Sequence, residues 1–238
     1  MRRRGSSTEL LDSPIPLPIP LEYRRSSRAR RISLKIDMVR GRVVLVVPTS
    51  VGKTRALDFL KRHAAWVEAR LAEMPEPMPF AHGATVPVLG VPHRIHGDPR
   101  TLRGRVERVE QVINVPGASE HLPRRLTDYL KAEAKREIGT RARAKAAIIG
   151  ASIKALTLRD TTSRWGSCNR AGRLSFSWRL ILAPESVLDY VVAHEVAHLA
   201  EMNHGPRFWK LCAHLSEGDS TTARAWLSRH GHQLHRYG

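Results

Sequence analysis

His194, Glu195 and His198 lie in the run HEVAHLAEMNH, which closes on His204. Residues four apart share one face of an α-helix, so His194 and His198 offer two imidazoles, one turn apart, to a single ion. Glu195 sits beside the first of them, where its carboxylate can take a proton from a water on that ion. His204 follows six residues after His198, far enough for the chain to turn and supply a third nitrogen. Three histidines with an open fourth position describe a catalytic zinc site. Iron, nickel, copper or cobalt suit the same ligands, so the residue types specify one divalent ion more firmly than its identity.

The flanking residues must bury this constellation. Ala183-Pro184 opens the segment, because proline is tolerated at a first helical position. Val187, Val191, His194 and His198 fall along one stripe, with Leu188, Val192, Val196 and Leu199 beside it. A helix apolar around so much of its surface is a buried one, and polar groups there need a partner. Asn203 to Pro206 reads as a stop and a restart, beginning a short helix with Phe208, Trp209, Leu211, Cys212 and Leu215. The aromatic pair is expected to pack under the metal site and set the turn bearing His204.

Upstream, Leu156 to Arg159 and Arg173 to Trp178 read as short strands flanking Trp165-Gly166-Ser167-Cys168-Asn169, paired as a hairpin or as edges. An edge strand beside a metal can hold an extended substrate by backbone pairing. Arg164, Trp165, Ser167 and Cys168 would then line the cleft, with Arg164 polarising a carbonyl or binding a phosphate. Trp165 has a second reading as a core plug, with Gly166 allowing a tight bend. Tyr190 joins Arg164 as a candidate for holding a developing oxyanion, or else is core.

The run from Arg164 to Trp209, RWGSCNRAGRLSFSWRLILAPESVLDYVVAHEVAHLAEMNHGPRFW, closely resembles the YgjP-like metallopeptidase domain family. Weaker resemblance extends back to about Leu21, and SprT-like and WLM-type proteases are more distantly similar. The resemblance implies a zincin-like fold and a metallopeptidase activity. It places His194, His198 and His204 on the metal-ligand positions and Glu195 on that of the catalytic glutamate. It does not imply a particular substrate.

Composition bounds the remainder. Forty Lys and Arg against twenty-two Asp and Glu give a net charge of +18 in 238 residues. Such a balance favours anionic partners, although the basic residues are spread out and read as solvated faces ahead of a dedicated nucleic-acid surface. Cys168 and Cys212 are the only cysteines, too few for a disulfide framework, and a cytoplasmic location is expected. No apolar run approaches the roughly 18 residues of a membrane span. Arg2 to Arg4 and the following LLDSPIPLPIP lack a secretory h-region, and residues 1–20 are expected to be a disordered, basic, proline-rich tail.

The layout reads as α+β, a zincin-like catalytic region behind a β-rich N-terminal half. Residues 21–116 carry short strands and one amphipathic helix, Thr54 to Met74; residues 117–238 carry a long helix to about Ile149 and the metal region. Residues 21–238 together suit one family domain, and no internal repeat is evident. Gly52-Lys53-Thr54 is not a phosphate loop, because Val47 stands where its first glycine is needed. His93 and His96, three apart in a strand or loop, have poor geometry for chelation by themselves, and His230, His232 and His235 read as surface histidines rather than ligands.

Three functions compete on these residues. The first is a zinc peptidase acting on an unstructured or nucleic-acid-associated protein. The second is a metal-dependent hydrolase of a nucleotide or other phosphorylated substrate, drawn by the positive charge. The third is a nucleic-acid-associated module with a structural metal, which leaves Glu195 unexplained. Oligomeric state is not legible.

Overall fold

The computed structural model describes residues 7–37, 41–72, 76–101, 103–162 and 164–238. The chain divides into two compact units, Met1–Glu76 and Pro77–Gly238.

The first unit contains β1 (Thr8–Leu11), β2 (Leu21–Ser26), β3 (Ser33–Asp37), β4 (Arg42–Pro48), α1 (Lys53–Arg62) and α2 (Ala64–Ala72). Its sheet runs β1-β2-β4-β3, with β2 and β4 parallel and both outer pairs antiparallel. Central β4 is almost continuously apolar, as a strand buried on both faces must be. Leu21, Tyr23, Leu45 and Val47 meet Ala56, Leu60 and Val67 from the helices.

Two expectations for this unit need correction. Thr8–Leu11 pairs with Leu21–Arg24, so residues 7–20 are ordered and not a disordered tail; residues 1–6 lie outside the described residues. The reason is the alternation of Ile15, Leu17 and Ile19, which pack on the core between prolines that need no ladder bond. The single helix expected over Thr54 to Met74 is two. His63 donates its N–H to Leu60 in a tight terminal turn, and its ring stacks on Phe59 with centroids 4.1 Å apart, which ends α1. Met74 lies outside the described residues.

The second unit opens with β5 (Thr85–Val88), β6 (Val91–Asp98), β7 (Glu107–Val109) and β8 (Val112–Pro116), ordered β5-β6-β8-β7. Its middle pair is parallel and its outer pairs antiparallel, the topology of the first sheet repeated. The sequence carries no trace of this repeat, because strand order depends on backbone pairing and not on which apolar residue fills each position. Then follow α3 (Leu122–Ile148), β9 (Ala155–Arg159), β10 (Gly166–Cys168), β11 (Arg173–Ser177), α4 (Glu185–Ala197), α5 (Pro206–Leu215) and α6 (Ser220–His230).

The long helix α3 buries Leu122, Leu126, Leu130, Ala134, Ile138 and Ala142 along one stripe. That stripe shares a core with Val86, Ile95 and Ile113 of the sheet and with Val192 and Val196 of α4. The division expected near residue 116 is therefore absent, and the break falls at Glu76-Pro77, within a proline-rich run.

A second sheet, ordered β10-β11-β9, supports the candidate site. The two strands read from the sequence, β9 and β11, pair in parallel and form no hairpin; the hairpin is β10 with β11. Its turn is built by Asn169, whose Oδ1 accepts the N–H groups of Ala171 and Arg173, and by Gly172 at φ 68°. The architecture is α+β, with most strands in the N-terminal half.

Candidate active site

The helix α4 is apolar on nearly every side and is buried from Val187 to Ala197 apart from His194, which is half-buried. It ends at Ala197, with His198 as its cap, and the chain then turns through Asn203 and His204 into α5. This turn brings His204 back, so that one ring nitrogen from each of His194, His198 and His204 lies within 4.8 Å of the others. Phe208 holds the three rings in place. It is fully buried, with ring centroids 4.9, 4.5 and 4.6 Å from His194, His198 and His204. Trp209 shares that role in part: it is 38% exposed, stacks on His204 at 5.6 Å and stands edge-on to His194 at 5.9 Å.

The donor chemistry suits a divalent ion. Only a donor can face a carbonyl, so His198 Nδ1 gives its hydrogen to Glu201 O at 3.0 Å, leaving the Nε2 lone pair for the site. The Nε2 atoms of His194 and His204 face each other at 3.1 Å. Two nitrogens sharing one tetrahedral zinc stand about 3.3 Å apart, so the pair is already spaced for a common ion. Burial, with His198, His204 and Arg224 adding to it, pushes His194 down to about 4. Burial likewise lowers His198, the Glu201 carbonyl opposing it. Both rings are thus neutral at physiological pH, the form that ligates.

Glu195 is 6% exposed and points at β10. Burial raises its carboxyl to about 7, and the charge of Arg164 pulls the other way. Gly166 is where the strand and this carboxylate touch: a Cβ there would stand 2.5 Å from Glu195 Cγ and 2.6 Å from Oε1. Gly166 is thus a strand residue that makes room for Glu195, and not the tight bend of the alternative reading. Replacing it by alanine must displace the carboxylate. We expect kcat to fall about 10²-fold with metal content retained, since a misplacement near 1 Å costs that much; a Gly166→Ala enzyme of native kcat would contradict this.

The other sequence-singled residues divide. Tyr190, one turn before His194, is buried, with its ring edge-on to that imidazole at 6.0 Å. Burial raises its hydroxyl, so it remains a donor. Arg164 is exposed on the Glu195 side. Trp165 turns toward the C-terminus, stacking on His235 at 5.1 Å, with Gly231 against its ring. It serves the core. Cys168 stays a thiol, pushed up to about 11 by burial and by Glu195. Cys168 and Cys212 are free.

The sequence profile of the YgjP-like metallopeptidase domain matches residues 30–230. The chain belongs to the YgjP-like family. A YgjP-like metallopeptidase is a metal-dependent hydrolase, and the match spans both structural units. Among solved structures, the metallopeptidase zymogen abylysin of Pyrococcus abyssi is similar at TM-score 0.35 and 15% identity, covering 39% of this chain and 93% of that one. No protein of curated function matches the chain in sequence.

Two features of this YgjP-like site escaped the sequence. Arg224 of α6 lies over the ring of Trp209 at 5.3 Å and helps depress His194. It adds a cation near His194 as Arg164 does near Glu195, and nothing in the run TTARAW marks it. A cavity of about 510 Å³ opens beside His198, lined by Leu199, Met202, Asn169, Arg170 and Lys154. Among the described residues, no helix is long and apolar enough to cross a membrane.

Proposed function

We propose that this chain is a zinc-dependent peptidase in which His194, His198 and His204 hold one zinc ion and Glu195 is the general base. The observation that carries the reading is the convergence of three histidine ring nitrogens, within 4.8 Å, next to a buried carboxylate. Bound there, zinc supplies Lewis acidity toward a water and a scissile carbonyl. Glu195 accepts the proton of the attacking water and returns it to the leaving amine. Tyr190, a protonated hydroxyl beside His194, and Arg164, a cation beside Glu195, are the donors proposed for the developing oxyanion.

An extended substrate would pair with the outer edge of β10. Among the described residues this strand is paired with no strand but β11, and its Gly166 faces Glu195. The cavity at His198 would then receive a neighbouring side chain, and Lys154 and Arg170 on its wall favour an acidic one. Ions of other divalent transition metals suit the same nitrogens. A cytoplasmic location is supported by two free, unpaired thiols.

The test is a parallel screen of zinc-loaded protein on unstructured casein-like peptides and on nucleoside triphosphates. Peptide cleavage should disappear on chelation and return with zinc. Triphosphate hydrolysis without peptide cleavage would replace this reading by phosphoryl chemistry drawn to the +18 charge.

A further inference from the structure

A groove of about 560 Å³ lies away from the histidines, between α3 and β9. It is lined by five consecutive residues, Leu156 to Asp160. Successive side chains of a strand point to opposite faces, so a cavity touching all five runs along the strand's edge and not across a face. β9 is an edge: it pairs with β11, and among the described residues nothing pairs with its other side. The opposite wall is α3, through Lys131, Ala132 and Lys135, and Trp178 closes the end. A helix standing off an open strand edge is the arrangement that accepts an added strand.

The charge of the groove selects what can be added. Lys131, Lys135 and Arg159 are exposed cations along it. Its one carboxylate, Asp160, is already engaged by Arg179, with Nε–Oδ1 at 2.7 Å and Nη2–Oδ2 at 3.2 Å. Cations on an open edge discourage a second copy of a chain carrying +18 from pairing there. The same cations attract an acidic strand.

The geometry points to a second binding site, in which an extended acidic segment of a protein adds as a strand to the free edge of β9. Five residues of strand offer about 16 Å of backbone to pair with. Backbone bonds supply the affinity, the lysines and Arg159 select carboxylates, and Leu156, Leu158 and Trp178 give the apolar floor. The site lies on the far edge of the sheet whose near edge is β10, so it is separate from the zinc site and does not depend on hydrolysis.

The experiment uses full-length Glu195→Gln protein, which spares the probe from cleavage, and a fluorescein-labelled peptide of alternating glutamate and valine about ten residues long. Anisotropy should report binding that weakens with salt and is at least about tenfold weaker in Lys131→Glu/Lys135→Glu, whose two positions are exposed. Replacing the glutamates of the probe by lysine should abolish binding. Hydrogen exchange on the complex should slow at residues 155–159, a readout independent of the variant's folding. Unchanged affinity in the double variant, or protection confined to residues 166–168, would overturn the proposal. So would tighter binding of a single-stranded oligothymidylate with the same sensitivity, which would give the groove to nucleic acid.

Discussion

Replacing Glu195 with glutamine should lower kcat on a peptide substrate by about 10²–10⁴-fold, the range that a positioned acid–base group contributes. The amide has the shape of the carboxylate and keeps its place against Gly166, but it cannot take a proton from water. Metal content should not change, because the three nitrogens proposed as ligands belong to other residues. Stability should hold or rise, because burial already disfavours the charged form strongly enough to raise this carboxyl to about 7. The check is steady-state kinetics beside metal analysis and thermal melting of one preparation. Near-native kcat in folded, metal-loaded Glu195→Gln would remove Glu195 from the chemistry.

Lys145→Met should be the most damaging single change to stability outside the site, at about 3–5 kcal/mol. Lys145 on α3 and Asp189 on α4 have side chains only 4% and 3% exposed, and their charged atoms stand 2.7 Å apart. The same ammonium donates to Leu215 O at 2.7 Å, and Asp189 Oδ2 accepts the N–H of Glu217 at 2.8 Å. One buried pair therefore ties together α3, the helix bearing His194 and His198, and the end of the helix bearing Phe208. Removing one partner leaves the other charge buried and uncompensated, which costs more than the pair itself contributes. Lys145→Met/Asp189→Leu should accordingly lose much less than the two single changes summed. Denaturant midpoints of the four proteins test this, and additive losses would contradict it.

What the sequence made legible is what short-range periodicity encodes. The spacing of His194 and His198 specifies one helical face, the apolar residues around them specify burial, and Asn203 to Pro206 specifies the turn that returns His204. The long helix α3 and its end near Ile149, just before Gly150 at φ 63°, were readable from equally local signals. Features that arise where distant segments meet were not. Gly166 looked like a bend because its constraint comes from Glu195, far along the chain. Lys145 and Asp189 are unremarkable until two helices bring them together. Arg224 is one basic residue among forty. The parallel pairing of β9 with β11 and the repeated sheet topology are matters of backbone register, which side-chain pattern alone leaves open.

Elemental analysis of protein purified without added metal decides whether the three imidazoles hold an ion. About one equivalent of zinc per chain is expected, lost when His198 is replaced by alanine while the fold persists. Protein that holds no divalent ion even after equilibration with zinc, or that holds it equally well without His198, would contradict the proposed zinc site.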